Sequence, residues 1–513
     1  MNSIGFNNFR KFTEFPTIQF GGITLLVGAN NSGKSTLVKA LLLMRDFLTQ
    51  KVIKKDQIFE SLTPDFRFDS NYIHIGSFKR AFCNKCSDEE TTMRFTTGIG
   101  QFSFEVKVDG DRAKESALPH VSELTIVDHV RAVQLAYNYS SNLMSATFLP
   151  NEETKEKNQK IDLLKQQLLE LKQRQAEQKD FNEIIKLKDE INSIDAKIRA
   201  IGEEEEEKEL SVSFDMAQTL DVVGGLLIPE LVRQFAKYAE QGTTGDESSA
   251  RYIKEKSDKT ILKGKSSLIN AMATDLEYLL SFDQVEYIYA HSASQQVLYN
   301  MKDSNDFLSK TIHEYYMSRI SEGDAEYLFI KKWMDIFDLG HSFQIESVAG
   351  EAYQVRIIDT DNDSVQLADK GMGAIQMMIL LLRLATLIRK YKGATTPVTV
   401  LVEEPEQNLH PASQSLLADL FLEVNLEYGC HFIVETHSEY LIRRSQVLVA
   451  TLFGTKDSFI NNPFVTFYMP KHGIPYSMSY NENGRFEEKF GEGFFDEAGK
   501  SNMTLIKKER GLV

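Results

Sequence analysis

The chain has 513 residues, 42% of them hydrophobic and 26% charged, well beyond the roughly 150 of one average domain and enough to bury a large core. Its 58 Lys and Arg against 74 Asp and Glu leave a formal net charge of −16, so a protein basic all over that coats nucleic acid nonspecifically is excluded, and DNA as a partner would need a local basic patch. Three cysteines cannot form an even disulfide framework, the N-terminus lacks the order of a secretion signal, and the apolar run Met377–Leu382 stops at Arg383, far short of the ~20 residues of a membrane span. The expectation is a cytoplasmic protein with no membrane partner.

In chain order, Ile4–Phe9 alternates as a strand does, Ile23–Val27 runs apolar, and Lys34–Phe47 has helical periodicity. Between strand and helix lies Gly28-Ala29-Asn30-Asn31-Ser32-Gly33-Lys34-Ser35, a fit to G-x-x-x-x-G-K-[ST] in the context that motif needs. Its glycines let backbone N–H groups approach phosphate oxygens. Lys34 is expected to neutralise the β- and γ-phosphates of ATP and the Ser35 hydroxyl to ligate Mg²⁺, with Asn30, Asn31, Ser32, Gly33 and Thr36 completing the cradle. Strand-like runs at Met93–Thr97, Phe102–Val108 and Leu124–Val127 predict an antiparallel sheet beside this lobe.

From Glu152 to about Leu210 the composition shifts to Lys, Glu, Gln, Leu and Ile. Ile161, Leu164, Leu168 and Leu171 step by three and four, as do Ile184, Leu187, Ile191, Ile194, Ile198 and Ile201, which makes two coiled-coil seams. The first register does not run into the second, so the spacing predicts an antiparallel hairpin with its tip near Gln178–Glu183. The run Glu203–Glu207 reads as a solvated acidic helix end. Asp215 to about Leu339 reads as mostly helical with a polar break at Gln241–Ser249. Strand Tyr353–Ile358, a helix from Ala374 to Tyr391, and strands Val398–Val402 and His431–Val434 then predict a mostly parallel sheet. The fold class is α/β, divided as 1–150 and 343–513 for two halves of one nucleotide-binding domain, 151–210 for the coiled-coil insertion and 211–342 for a helical middle region.

The second half of the expected chemistry is the apolar strand Val398–Val402 ending in Glu403 and Glu404, acids delivered to the crevice where ligands of open α/β sheets lie. Glu403 is expected to hold Mg²⁺ through water and Glu404 to orient or deprotonate the attacking water. Other groupings have plainer readings. Cys83-Asn84-Lys85-Cys86 has zinc-knuckle spacing without a second pair nearby, and Asp359, Asp361 and Asp363 lack the glycine and distal acid of a calcium loop, which leaves a polar hairpin turn. Lys51–Lys55, Lys79-Arg80 and Arg443-Arg444 are small basic clusters that together would mark a DNA path.

The segments Glu403-Glu404-Pro405-Glu406-Gln407-Asn408-Leu409-His410-Pro411 and Val434-Glu435-Thr436-His437-Ser438 resemble the D-loop and switch histidine of ABC-type ATPases, in the branch of the SMC, RecF and overcoming-lysogenization-defect proteins. That resemblance implies that His437 contacts the γ-phosphate and that Asn408 lies between two protomers sandwiching nucleotide. Asp369-Lys370-Gly371-Met372-Gly373-Ala374-Ile375-Gln376 stands where the family carries its signature, with Gly371 and Gly373 implied at the partner's nucleotide, although the usual serine is missing. The ending Gly484-Arg485 and Gly493-Phe494-Phe495-Asp496-Glu497 is similar to that of a subfamily some of whose members sit in antiphage loci. The resemblance implies a homodimer or higher homo-oligomer formed through the ATP site. The stretch after His437 has no Asp-x-Asp pair with an upstream Glu, so no nuclease is expected in cis, and by analogy with Septu-like and PARIS-like systems a separate HNH or Toprim nuclease would be the effector. The competing expectation is a RecF- or SMC-like repair ATPase that clamps DNA. A transporter ATPase fits the coiled-coil insertion poorly.

Overall fold

The computed structural model describes residues 1–52, 66–148 (without 71, 88, 115–117 and 142), 210–215, 225–241, 256–281, 285–289, 295–301 and 306–510 (without 362 and 395), and scattered positions between 164 and 197. A six-stranded sheet carries the nucleotide motifs, in the order Val285–Ile288, Thr399–Glu403, His431–Thr436, Ile23–Gly28, Phe464–Met469, Tyr476–Met478. The first five strands are parallel and the last antiparallel. Ile23–Gly28 is buried throughout, as a strand covered on both faces must be, which is why it reads as an apolar run without alternation. Strand pleat then divides its side chains between two cores. Leu26, Leu401 and Ile433 pack with helix Lys34–Leu48 and the antiparallel sheet. Leu25, Val400, Val402 and Val434 pack with helices Met372–Lys390, Pro411–Tyr428 and Glu439–Leu452.

The register places the functional ends together. Glu403 pairs with Glu435 and Thr436 with Val27, so Gly28, Glu404 and His437 all leave the same edge of the parallel sheet. The antiparallel sheet beside it has eight strands, in the order Phe12–Gln19, Ser3–Phe9, Thr92–Ile99, Phe102–Asp109, His120–Asp128, Val133–Asn138, Leu143–Phe148, Leu210–Asp215. Phe148 is paired with Leu210, so 149–209 leave the sheet and rejoin it at neighbouring strands. Within that insertion the described positions of 164–171 and 190–197 are helical, and the seam residues Leu164, Leu168, Leu171, Ile191 and Ile194 are less exposed than Gln167, Leu169, Glu190, Ser193 and Lys197. The hairpin tip, Glu203–Glu207 and the polar break at 242–249 lie outside the described residues.

Several segments depart from the sequence reading, among them Leu210–Asp215 and Tyr299–Asn300, strands within the region read as helical. Val285–Ile288, inside the stretch read as mostly helical, is a strand at the edge of the parallel sheet, and Phe464–Met469 pairs beside the phosphate-loop strand. Both runs are four to six residues of apolar and aromatic side chains, too short for periodicity to declare them. Ile358 pairs with Ser364 and the Asp359 N–H donates to the Asp363 carbonyl at 3.0 Å, as in the expected hairpin, with Asp359 accepting from Lys370 Nζ at 2.7 and 2.9 Å. Helix Met372–Lys390 is long and apolar enough to cross a bilayer, yet Ile375 to Ile388 are buried in the core, and Arg383 is paired with Glu286 at 2.5 Å.

Candidate nucleotide site

The loop after strand Ile23–Gly28 is shaped by close packing. A Cβ on Gly28 would lie 2.3 Å from the Met469 carbonyl oxygen, and Gly33, at φ +108°, leaves room only for the ring of Phe12. No other residue fits either place. Lys34 is 3% exposed, and its Nζ donates to the carbonyls of Gly28 at 3.0 Å and Ala29 at 3.2 Å while lying 4.0 Å from Glu435 Oε1. Burial lowers its pKa, opposed by Glu435 and Glu404. Ser35 Oγ donates to Glu435 Oε1 at 3.3 Å. Ser32 Oγ is buried with no hydrogen-bond partner, a polar atom left over for a phosphate oxygen.

The parallel neighbour strands supply the acids and the histidine. Glu404 stands in the left-handed region at φ +44°, an unusual conformation for a side chain of this size, fixed by its N–H donating to the Glu435 carbonyl at 2.7 Å. Its carboxylate accepts from Gln407 Nε2 and lies 3.8 Å from His437 Nε2. Glu406, buried behind, accepts from the His437 N–H at 2.6 Å and so fixes the start of that turn. Burial holds the His437 pKa below its ordinary value, with Lys34 adding to the effect, so its ring is neutral near pH 7. Burial and then Glu403 push Glu435 up to about 7.

These groups line a cavity of about 850 Å³. Of the sequence-predicted residues, Asn30, Asn31, Ser32, Gly33, Lys34, Ser35, Thr36, Glu404 and His437 line it, and Gly28 holds Lys34 at its edge. Gly371, Gly373 and Asn408 do not. They form a patch of their own, where a Cβ on Gly373 would lie 2.7 Å from the Asn408 carbonyl oxygen. Glu403 is engaged by the hydroxyl of Tyr287, whose pKa is raised by burial and then by that carboxylate. Ser35 instead meets Glu435, and the ligand atoms of Glu404, Glu435 and His437 lie within 4.8 Å of one another. Hard oxygen donors beside the Ser35 hydroxyl suit Mg²⁺, so the residues present fit that ion, with Glu435 joining the expected set.

Sequence reasoning assigned no role to Glu435, although it closes an apolar strand as Glu403 does. It also passed over Arg10 and Lys11, in the turn between the first two strands, and placed Arg80 on a DNA path. Arg80 and Lys85 line the nucleotide cavity, while Arg443 and Arg444 are paired with Glu439 and Asp419. The thiols of Cys83 and Cys86 face inward, the latter donating to Asn8 Oδ1 at 3.1 Å, and His74 is bonded to Asp69.

The comparisons with known proteins agree with a nucleotide site. No curated protein matches the chain. Among solved structures, the Smc head domain with an extended coiled coil, bound to the C-terminal domain of ScpA, from Pyrococcus furiosus is 10% identical, covers 99% of each chain and gives a TM-score of 0.31. The SMC head domain from Thermotoga maritima is 10% identical over 93% of this chain and 98% of its own, with a TM-score of 0.32. Likenesses this distant carry no functional weight. The family match is of another order: the AAA ATPase domain matches residues 1–442, including the phosphate loop, Glu404 and His437, and the chain belongs to that family.

Proposed function

We propose that the chain binds and hydrolyses ATP with Lys34 on the phosphates, Glu404 as general base and His437 at the γ-phosphate. The observation that carries this reading is the convergence of a phosphate loop, a fixed carboxylate and a histidine in one cavity. Mg²⁺ would supply Lewis-acid stabilisation of phosphate charge, held by Ser35 with Glu435 and, through water, Glu403. The protein's own steps are local. Lys34 gives up its two carbonyl bonds for phosphate oxygens. Glu404, oriented by Gln407, takes a proton from the attacking water, and the neutral His437 ring donates an N–H to the γ-phosphate.

Gly371, Gly373 and Asn408 lie outside the cavity, which supports the reading that they serve the nucleotide of a second copy in a homodimer with two composite sites. The dimer would act as a sensor or regulatory scaffold for a separate nuclease effector of HNH or Toprim type in antiphage defence. What supports this choice is the resemblance of the closing segment, Gly484-Arg485 and Gly493–Glu497, to a subfamily some of whose members sit in antiphage loci. The chemistry is tested by steady-state ATP turnover of wild type and Glu404→Gln with nucleotide affinity measured in parallel. The reading expects unchanged affinity and lost turnover, and undiminished turnover would move the base elsewhere.

A further inference from the structure

The Cys83-Asn84-Lys85-Cys86 turn has no part in the chemistry above, yet it forms one wall of the nucleotide cavity. Its two thiols are not displayed. Cys83 is fully buried, and Cys86 bonds Asn8 while burial and then Cys83 push its pKa up to about 12, so both serve as small apolar anchors. The Cys83 N–H donates to the Asn8 carbonyl at 2.9 Å, and Phe82 bridges Phe9. The same strand end carries Arg10, in the left-handed region at φ +54° and tied by its N–H to the Ala81 carbonyl at 2.6 Å. Anchored in this way, the turn presents Asn84 and Lys85, both exposed, to the cavity beside Arg80.

The charges of the cavity divide by chain segment. Glu404, Glu435 and His437 reach it from the parallel sheet, whereas Arg10, Lys11, Arg80 and Lys85 line it from the first strand turn and the segment around Cys83–Cys86, and among the described residues no carboxylate bonds any of the four. Lys11 donates to the Asn31 and Ser32 carbonyls, at 3.0 and 2.5 Å, and lies over the Phe12 ring. Four like charges held in one cavity by a hydrogen-bonded frame need an anion, and a nucleoside triphosphate running from His437 toward Asn84 brings its α-phosphate and sugar among them.

We propose that the Cys83–Cys86 turn is the nucleoside-side subsite of this cavity, in which Arg80 and Lys85 clasp the α-phosphate and the Asn84 amide hydrogen-bonds the nucleoside. The inference rests on the phosphate-loop reading and adds residues outside it. It is tested by titration calorimetry of the full chain with Mg²⁺ and either ATP or inorganic tripolyphosphate, and by fluorescence anisotropy with a single-stranded oligonucleotide. Asn84→Ala should weaken ATP roughly tenfold and leave tripolyphosphate unchanged, whereas Arg80→Ala with Lys85→Ala should weaken both by at least that factor. These positions are exposed, so thermal midpoints equal to wild type are expected. Wild-type affinity for ATP in both variants overturns the subsite, as does an Asn84→Ala loss that tripolyphosphate shares equally. Loss of oligonucleotide binding with ATP binding intact assigns the cations to nucleic-acid phosphates and likewise overturns it. Failure of wild type to bind either small ligand refutes the phosphate-loop reading instead.

Discussion

Glu435→Gln should make the nucleotide-free chain more stable than wild type at pH 8 and no more stable at pH 4. Glu435 is 4% exposed and lies opposite Glu403 in the strand register, close to Glu404. Its pKa of about 7, against 4.5 for an ordinary glutamate, means that the folded chain keeps this proton where the unfolded chain has released it. Between those values the folded state binds more protons, so stability falls as pH rises through the window, and the loss is complete above pH 7. A shift of that size corresponds to roughly 3 kcal/mol, at about 1.4 kcal/mol per pH unit. The amide keeps the hydrogen bond from Ser35 and removes the charging cost, while Lys34 loses its nearest acid and leans further toward its neutral form. Urea denaturation of both proteins at pH 4, 6 and 8 reads the difference directly. The two curves should separate progressively above pH 5. Parallel pH dependence in the two proteins would refute it, because Glu435 would then titrate as a solvated acid.

Lys34→Ala should abolish ATP binding in calorimetry, since the charge facing the phosphates is gone; wild-type affinity would show that the site is misassigned. Glu286→Leu should cost about 1–3 kcal/mol in urea denaturation, because it removes the acid shared by Arg383 and Lys390 and leaves Arg383 to Glu314 alone; an unchanged midpoint would mean that this network does not stabilise the fold. Replacing Glu152–Gly202 by a short Gly/Ser linker should leave ATP turnover intact and weaken assembly with the effector, because Phe148 and Leu210 already stand side by side; lost ATP binding in a folded protein would place the hairpin in the catalytic core.

The parts of the site that were legible in the sequence are those whose chemistry is contiguous. The loop Gly28–Ser35 needs glycine at fixed places, and the sequence shows both the glycines and the strand and helix that flank them. The acids Glu403 and Glu404 were legible for the same reason, as the polar end of an apolar strand. What pairing decides was not legible. Which of Glu403 and Glu435 meets Ser35 depends on the order of three strands and on the Tyr287 hydroxyl, which belongs to a strand that reads as part of a helical region. Arg10 is far in sequence from Arg80 and Lys85, all three are ordinary in type, and the backbone bonds Arg10 to Ala81 and Cys83 to Asn8 are what gather them. Within 149–209 the spacing picks out Leu164, Leu168, Leu171, Ile191 and Ile194, the less exposed of the described positions, because burial along a helix repeats every three to four residues.

The central claim is that ATP held by Lys34 in one copy is completed by Gly371, Gly373 and Asn408 of another. Glu404→Gln, which should retain nucleotide without turning it over, isolates that step from hydrolysis. Its mass in solution, measured by light scattering with and without ATP and Mg²⁺, should double when nucleotide is added, and Lys34→Ala under the same conditions should not change. A mass that stays the same at saturating ATP would contradict the account.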